Sequence, residues 1–189
     1  MNAPHRALAT FTNAQFERLV RSGGLGDKRV ELRRGMIVEM SPQFYQHAHV
    51  KSELTLALAA ALTGAGLPWR VFNEASVAFG GGFEPMPDIV VFDPTNVPRD
   101  LDGPIPAGVV KLVVEVADSS LGDDLGEKLE DYAGAGLAEY WVADVQGRIV
   151  LRHSGPQANA YARREPAHFG EAIAALTHAR LRIDTSTLK

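Results

Sequence analysis

The stretch Leu112–Val116, LVVEV, sets the first constraint on the fold. Four of its five residues are apolar, three of them valines, and short β-branched runs of this kind form buried strands. Glu115 stands inside it. A carboxylate buried without a partner costs several kcal/mol. The chain must therefore neutralise Glu115, pair it, or turn it toward a cleft. Downstream, residues 123–134 read as a helix stopped by Gly134 and Gly136. In it Asp124 and Lys128 stand at i and i+4 with the acid first, the order that favours pairing, and Tyr132 continues that face. If this helix lies over the sheet, Lys128 reaches the region of Glu115.

The rest of the chain supplies the elements around that unit. Thr12 and Gln15 form a capping box for a short helix whose apolar face is Phe16, Leu19 and Val20. Arg34-Gly35 is the turn of a hairpin in RVELRRGMIVEM. Val50, Leu54, Ala57, Leu58 and Ala61 recur at helical spacing, which predicts the longest helix over 46–63. WRVFNEASVAF and MPDIVVFD are strands separated by the glycine turn at 80–82, and EYWVADVQGRIVLRHS is a second hairpin turning at Gln146-Gly147. YARREPAHF and ARLRIDTSTL are further short strands. No repeat, low-complexity tract or linker interrupts this order. It predicts a mixed α/β (α+β) fold, a central mixed sheet flanked by helices, in one domain over residues 1–189 with a flexible stretch at 1–10.

Composition narrows the functions. The formal net charge is −4, which argues against a large basic nucleic-acid footprint and leaves room for a local patch. There is no cysteine, hence no disulfide framework and no thiolate metal site. The most apolar run, LTLALAAALTGAGL, is shorter than the about 20 residues a membrane span needs. The first residues lack the apolar core of a secretory signal. A soluble, cytoplasmic protein with no membrane partner is expected. No Gly-x-Ser-x-Gly elbow, Walker loop or Gly-x-Gly-x-x-Gly fingerprint is present, and the glycines at 80–82 lack the following helix that a phosphate loop requires. Nothing in the sequence counts protomers; a homodimer is left open.

What remains is a set of acids and one lysine. Glu31 lies in the first hairpin, Asp88 follows Pro87 at the head of a strand, and Glu115 sits in another. Acids on neighbouring strands can converge, and Mg²⁺ is held by one or two carboxylates plus waters and substrate phosphates. A lysine beside such a site orients water or stabilises charge on a phosphate. Each residue also has a structural reading. Asp88 can be a strand-start acid, Glu31 a solvated one, and Asp124–Lys128 a surface pair worth a few tenths of a kcal/mol. His47 and His49, two apart, point to different faces of the long helix. His49, near the start of that helix, reads either as a residue lining the cleft or as a satisfied structural histidine, and without cysteines or an HExxH pattern neither histidine makes a zinc site. Arg33, Arg34, Arg148 and Arg152 read as solvated strand edges.

VELRRGMIVEMSP, HAHV opening a helix, MPDIVVF, VVEVADSS and DDLGEKLEDYAGAGLAEYWVAD together resemble the bacterial Uma-type family over roughly residues 11–153. The resemblance implies a restriction-endonuclease-like, PD-(D/E)xK fold. It implies Asp88 and Glu115 as the metal-holding acids and Glu31 as a third. It also implies that Lys128 from the following helix replaces the strand lysine, whose slot here is Ala117. The ADSS at 117–120 departs from the Ser-Pro version common in the family, so Asp118 is not carried over as a ligand. Two expectations follow. One is a nuclease that uses Mg²⁺ (or Mn²⁺) to hydrolyse phosphodiester bonds of DNA, with a basic rim around its acidic centre. In it Asp88, Glu115 and Lys128 are catalytic, Asp88, Glu115 and Glu31 face the metal, and Asp124, His49 and Tyr132 support them. The other is a catalytically silent nucleic-acid-binding or protein-interaction module that keeps the fold.

Overall fold

The computed structural model describes residues 9–188, so the stretch expected to be flexible falls almost wholly outside it. The capping box forms as spelled out by Thr12 and Gln15, with the Thr12 N–H donating to Gln15 Oε1 at 2.9 Å, and opens helix α1 (Asn13–Arg21). Its apolar face is narrower than expected. Phe16 is buried with Val30 and Leu32, whereas Val20 is 48% exposed. Strands β1 (Val30–Arg33) and β2 (Met36–Glu39) make the first hairpin. Arg34 and Gly35 both take positive φ, 50° and 76°, as a two-residue turn between right-twisted strands requires. Helix α2 (Tyr45–Gly64) buries Val50, Leu54, Leu58 and Leu62 along one stripe.

The remaining elements are β3 (Arg70–Asn73), β4 (Val77–Ala78), β5 (Ile89–Phe92), β6 (Ile105–Pro106), β7 (Val110–Ala117), α3 (Leu121–Asp124), α4 (Glu127–Gly134), β8 (Glu139–Asp144), β9 (Ile149–Gln157), β10 (Ala160–His168), β11 (Ala172–Ala174) and β12 (Arg182–Asp184). Six strands form the central sheet in the order β10-β9-β8-β7-β5-β3. Within this sheet β7 and β8 alone pair in parallel among the described residues, because α3 and α4 carry the chain back across the sheet between them. Strands covered on both faces read as continuous apolar runs rather than alternating ones. Leu112, Val114 and Val116 pack under α2, together with Trp141 and Ala143 of β8. Val113 and Ala117 pack on the opposite face with Tyr132 of α4 and Tyr140. Strand alternation puts Glu115 on this second face, beneath α3 and α4.

The helix expected over 123–134 is two helices. At Gly126 the helical backbone is interrupted, with ψ −109°, and a Cβ there would lie 2.7 Å from the Gly122 carbonyl oxygen. Asp124 ends α3 and Lys128 lies in α4, so they are not neighbours on one regular helix face. Of the four arginines expected at solvated edges, Arg34 and Arg148 are exposed and the other two are not. Arg33 is buried to 9% exposure, and the half-buried Arg152 donates to the Ala174 carbonyl at 2.6 Å. Among the described residues no helix is long and apolar enough to cross a membrane.

Candidate active site

Strands β5 and β7 are antiparallel with Ile89 opposite Val114. One step further along that register Asp88 stands opposite Glu115. The two are stapled through backbone groups: the Asp88 N–H donates to Glu115 Oε2 at 3.3 Å, and the Val116 N–H donates to Asp88 Oδ2 at 2.9 Å. From the covering helix, Lys128 Nζ comes within 3.3 Å of Glu115 Oε1 and 3.5 Å of Asp124 Oδ1. The break at Gly126 does not separate Asp124 from Lys128; it bends the chain so that both point at the sheet. The Tyr132 hydroxyl, fully buried, donates to Glu115 Oε1 at 2.9 Å. Glu31, on β1, accepts the Met86 N–H at 3.3 Å. Glu31, Asp88, Glu115, Asp124 and Lys128 all line one cleft of about 640 Å³.

Charge in this cleft is unbalanced. Glu31, Glu39, Asp88, Glu115, Asp118, Asp123 and Asp124 line it, against the cations Arg33 and Lys128. Burial pushes the Glu115 carboxyl up to about 8; Lys128 draws it down, and Asp88, Asp124 and Glu31 push it further up. Burial likewise raises Asp124, partly offset by Lys128 and by the Ser120 hydroxyl. Burial opposes the charge on Lys128, but Glu115, Glu31 and Asp124 outweigh it and raise the ammonium above its usual value. Asp88 moves the other way. Burial disfavours its charge, yet the hydrogen bond and charge of His47, the Val116 N–H and Lys51 hold it below the usual carboxylate range.

That environment of Asp88 was not foreseen. His47 Nε2 lies 3.0 Å from Asp88 Oδ2, and Gln43 donates to Oδ1 at 2.9 Å. Lys51 Nζ is 3.8 Å from Oδ1 and 2.5 Å from Glu74. His49, the histidine expected along the cleft, does not line it; its ring stacks on Tyr45 one turn back, centroids 6.0 Å apart. The usable signal was the pair His47 and Lys51 at i and i+4, one face of α2 turned toward Asp88. Arg33 was missed as well. Its guanidinium grips Asp123 with two bonds, 2.7 and 2.9 Å, and so ties the hairpin to α3.

The donors suit a hard cation: carboxylate oxygens, with no thiolate present. Among the described residues no three His, Cys, Asp or Glu side chains are grouped closely enough to hold an ion by themselves. A cation here would rest on Asp88 and Glu115 with water completing its shell, which is how Mg²⁺ is commonly bound. The acids that raise Glu115 are those a cation would neutralise. Glu31 shares the cleft with this pair without completing a three-acid cluster.

A family model described as "Uma2: Putative restriction endonuclease" matches residues 14–186. Among solved structures, the chain resembles one described as a putative nuclease belonging to DUF820 from Anabaena variabilis ATCC 29413. The TM-score is 0.69 over 94% of this chain and 97% of that one, at 20% identity. A likeness at that identity speaks for the fold, a central mixed sheet flanked by helices. No curated protein matches the chain.

Proposed function

We propose, from the premise that the chain belongs to the Uma2 family, that it is a nuclease hydrolysing phosphodiester bonds of DNA in the acidic cleft, with Mg²⁺ or Mn²⁺ as cofactor. The observation that carries this reading is the β5–β7 register. It sets Asp88, at the head of one central strand, beside Glu115 on the next, facing an open cleft, where Lys128 from the covering helix comes to 3.3 Å from Glu115. Asp88 and Glu115 would hold the cation, and Glu31, which lines the same cleft, would assist them. When bound, the cation supplies positive charge for the phosphate and lowers the pKa of the attacking water. The protein's own groups do the rest. The raised pKa of Lys128 keeps it an ammonium at working pH, so it acts as a fixed positive charge toward the phosphate and not as a proton acceptor. Asp124 and Glu115 hold that ammonium in place. Tyr132 donates to Glu115 Oε1 and fixes its rotamer, leaving Oε2 turned toward Asp88. His47, Gln43 and the Val116 N–H keep Asp88 ionised and oriented.

Incubation with single-stranded, duplex and branched DNA in Mn²⁺, beside the same reactions in EDTA, tests this. Cleavage of at least one form, abolished by EDTA, is expected. No cleavage of any form would leave the non-cleaving module as the better reading, and cleavage that survives EDTA would remove the cation from the account.

A further inference from the structure

Among the described residues, both cations that line the cleft, Arg33 and Lys128, are already paired with acids, so the cleft by itself has little positive field to draw in a polyanion. A second groove, of about 1160 Å³, lies behind the same wall. On β1, Val30 lines this groove while its neighbour Glu31 lines the cleft; along the chain entering β5, Glu84 and Met86 line the groove while Asp88 lines the cleft. The groove walls include Phe72, Phe92, Val97, Pro98 and Leu101. Phe72 is 49% exposed and meets Phe92 edge to face, ring centroids 5.0 Å apart. Its charge is the reverse of the cleft's. Arg21, Lys28, Arg29, Arg70 and Arg99 line it against Glu17, Glu84 and Asp102, on a chain whose net charge is −4. Arg70 and Arg99 have no carboxylate partner among the described residues, while Arg21 is spent on Asp102, Lys28 on Glu39 and Arg29 on Glu74. At the floor, Glu84 is 3% exposed with one hydrogen bond from Asn13 at 3.3 Å.

We infer that this groove binds an unpaired stretch of the DNA strand, one base lodged against Phe72 with Glu84 at its polar edge and the flanking phosphates on Arg70 and Arg99. The inference rests on the nuclease reading and names its substrate as single-stranded or locally opened DNA. A stacked, paired base cannot present its face to Phe72, whereas an unpaired one can, and aromatic stacking tolerates any base. The charge complementarity selects a polyanion over an apolar partner. Burial pushes the Glu84 carboxyl up to about 7, with Asn13 drawing it down and Glu17 adding to the rise, so it can accept from or donate to a base edge. The arginines also supply the positive field that the cleft itself lacks.

The test is fluorescence anisotropy of a labelled thymidine dodecamer and of a duplex of the same length, both in EDTA, where no cleavage intrudes. The single strand is expected to bind more tightly than the duplex. Phe72→Ala should weaken it about tenfold. Arg99→Ala should weaken it and lower the slope of log affinity against log salt by about 0.7. Arg99 is exposed, so its variant reports even if Phe72→Ala disturbs the fold, which a thermal melt shows. Unchanged affinity in both variants, a preference for duplex, or a change confined to oligomeric state overturns the groove assignment. Strand binding with the expected losses but no cleavage in Mn²⁺ keeps the groove and removes the nuclease. Cleavage with unchanged affinity in both variants does the opposite.

Discussion

Lys128→Met is expected to lower the cleavage rate about 10²–10³-fold, the usual effect of deleting one charge that acts on the transition state. The competing expectation is a structural ion pair. Removing one partner of a buried pair costs about 3–5 kcal/mol when the other must stay ionised, and Lys128 sits between two buried acids. Here the abandoned acids have an outlet. The Glu115 carboxyl already lies near 8 with Lys128 present, and Asp124 is raised too, so both take up protons once the ammonium is gone. The loss of stability should therefore stay below about 3 kcal/mol near neutral pH and grow as pH rises and ionisation is forced. Urea midpoint and cleavage rate are measured on one preparation. A larger loss of stability at neutral pH makes Lys128 structural first; unchanged rate and stability make it a bystander.

Manganese should stabilise the wild type by about 1–3 kcal/mol at concentrations well above its dissociation constant, and Asp88→Asn should lose most of that gain. The pH dependence has a definite sign. Glu115 is raised in the folded chain from an ordinary value of 4.5 to about 8. Its contribution is fully present below the unfolded value and is lost as pH rises through about 8. In EDTA the melting temperature should thus fall between about pH 5 and 8.5, and Glu115→Gln should flatten much of that fall. Glu84, raised to about 7, contributes a fall of the same sign over a narrower pH window. Asp88 is lowered, so its contribution is lost only at acid pH, below the ordinary carboxylate range. A cation favours ionised Glu115, so the manganese gain should be larger at about pH 8 than at about pH 6. An equal gain in wild type and Asp88→Asn places the ions elsewhere.

Much of the framework was legible because it is written in local chemistry. Thr12-x-x-Gln15, Arg34-Gly35 and the stripe from Val50 to Ala61 each specify a cap, a turn or a helix within a few residues. Glu115 announced itself as an acid in an apolar strand, and its partner was reachable because Lys128 lies one crossover away. What could not be read depends on distant packing. Arg33 is buried only because Asp123, some 90 positions on, meets it. His47 rather than His49 meets Asp88 because Asp88, 41 positions on, lies against that side of α2. The break at Gly126 was the nearer miss: a glycine between two acidic segments marks a helix interruption, and the i,i+4 pattern masked it. The basic rim expected around the acids is not found: among the described residues seven acids line the cleft against Arg33 and Lys128, and Arg70 and Arg99, from an edge strand and a loop with no shared sequence motif, line the other groove.

The most direct measurement is anomalous scattering from crystals of the wild type soaked in Mn²⁺. The expected result is one peak in the cleft, about 2.1–2.3 Å from one carboxylate oxygen each of Asp88 and Glu115, with Lys128 still beside Glu115 and Glu31 within reach of a bridging water. A peak elsewhere, or none with the cleft open and ordered, would contradict the assignment of Asp88 and Glu115 as the pair that holds the cofactor.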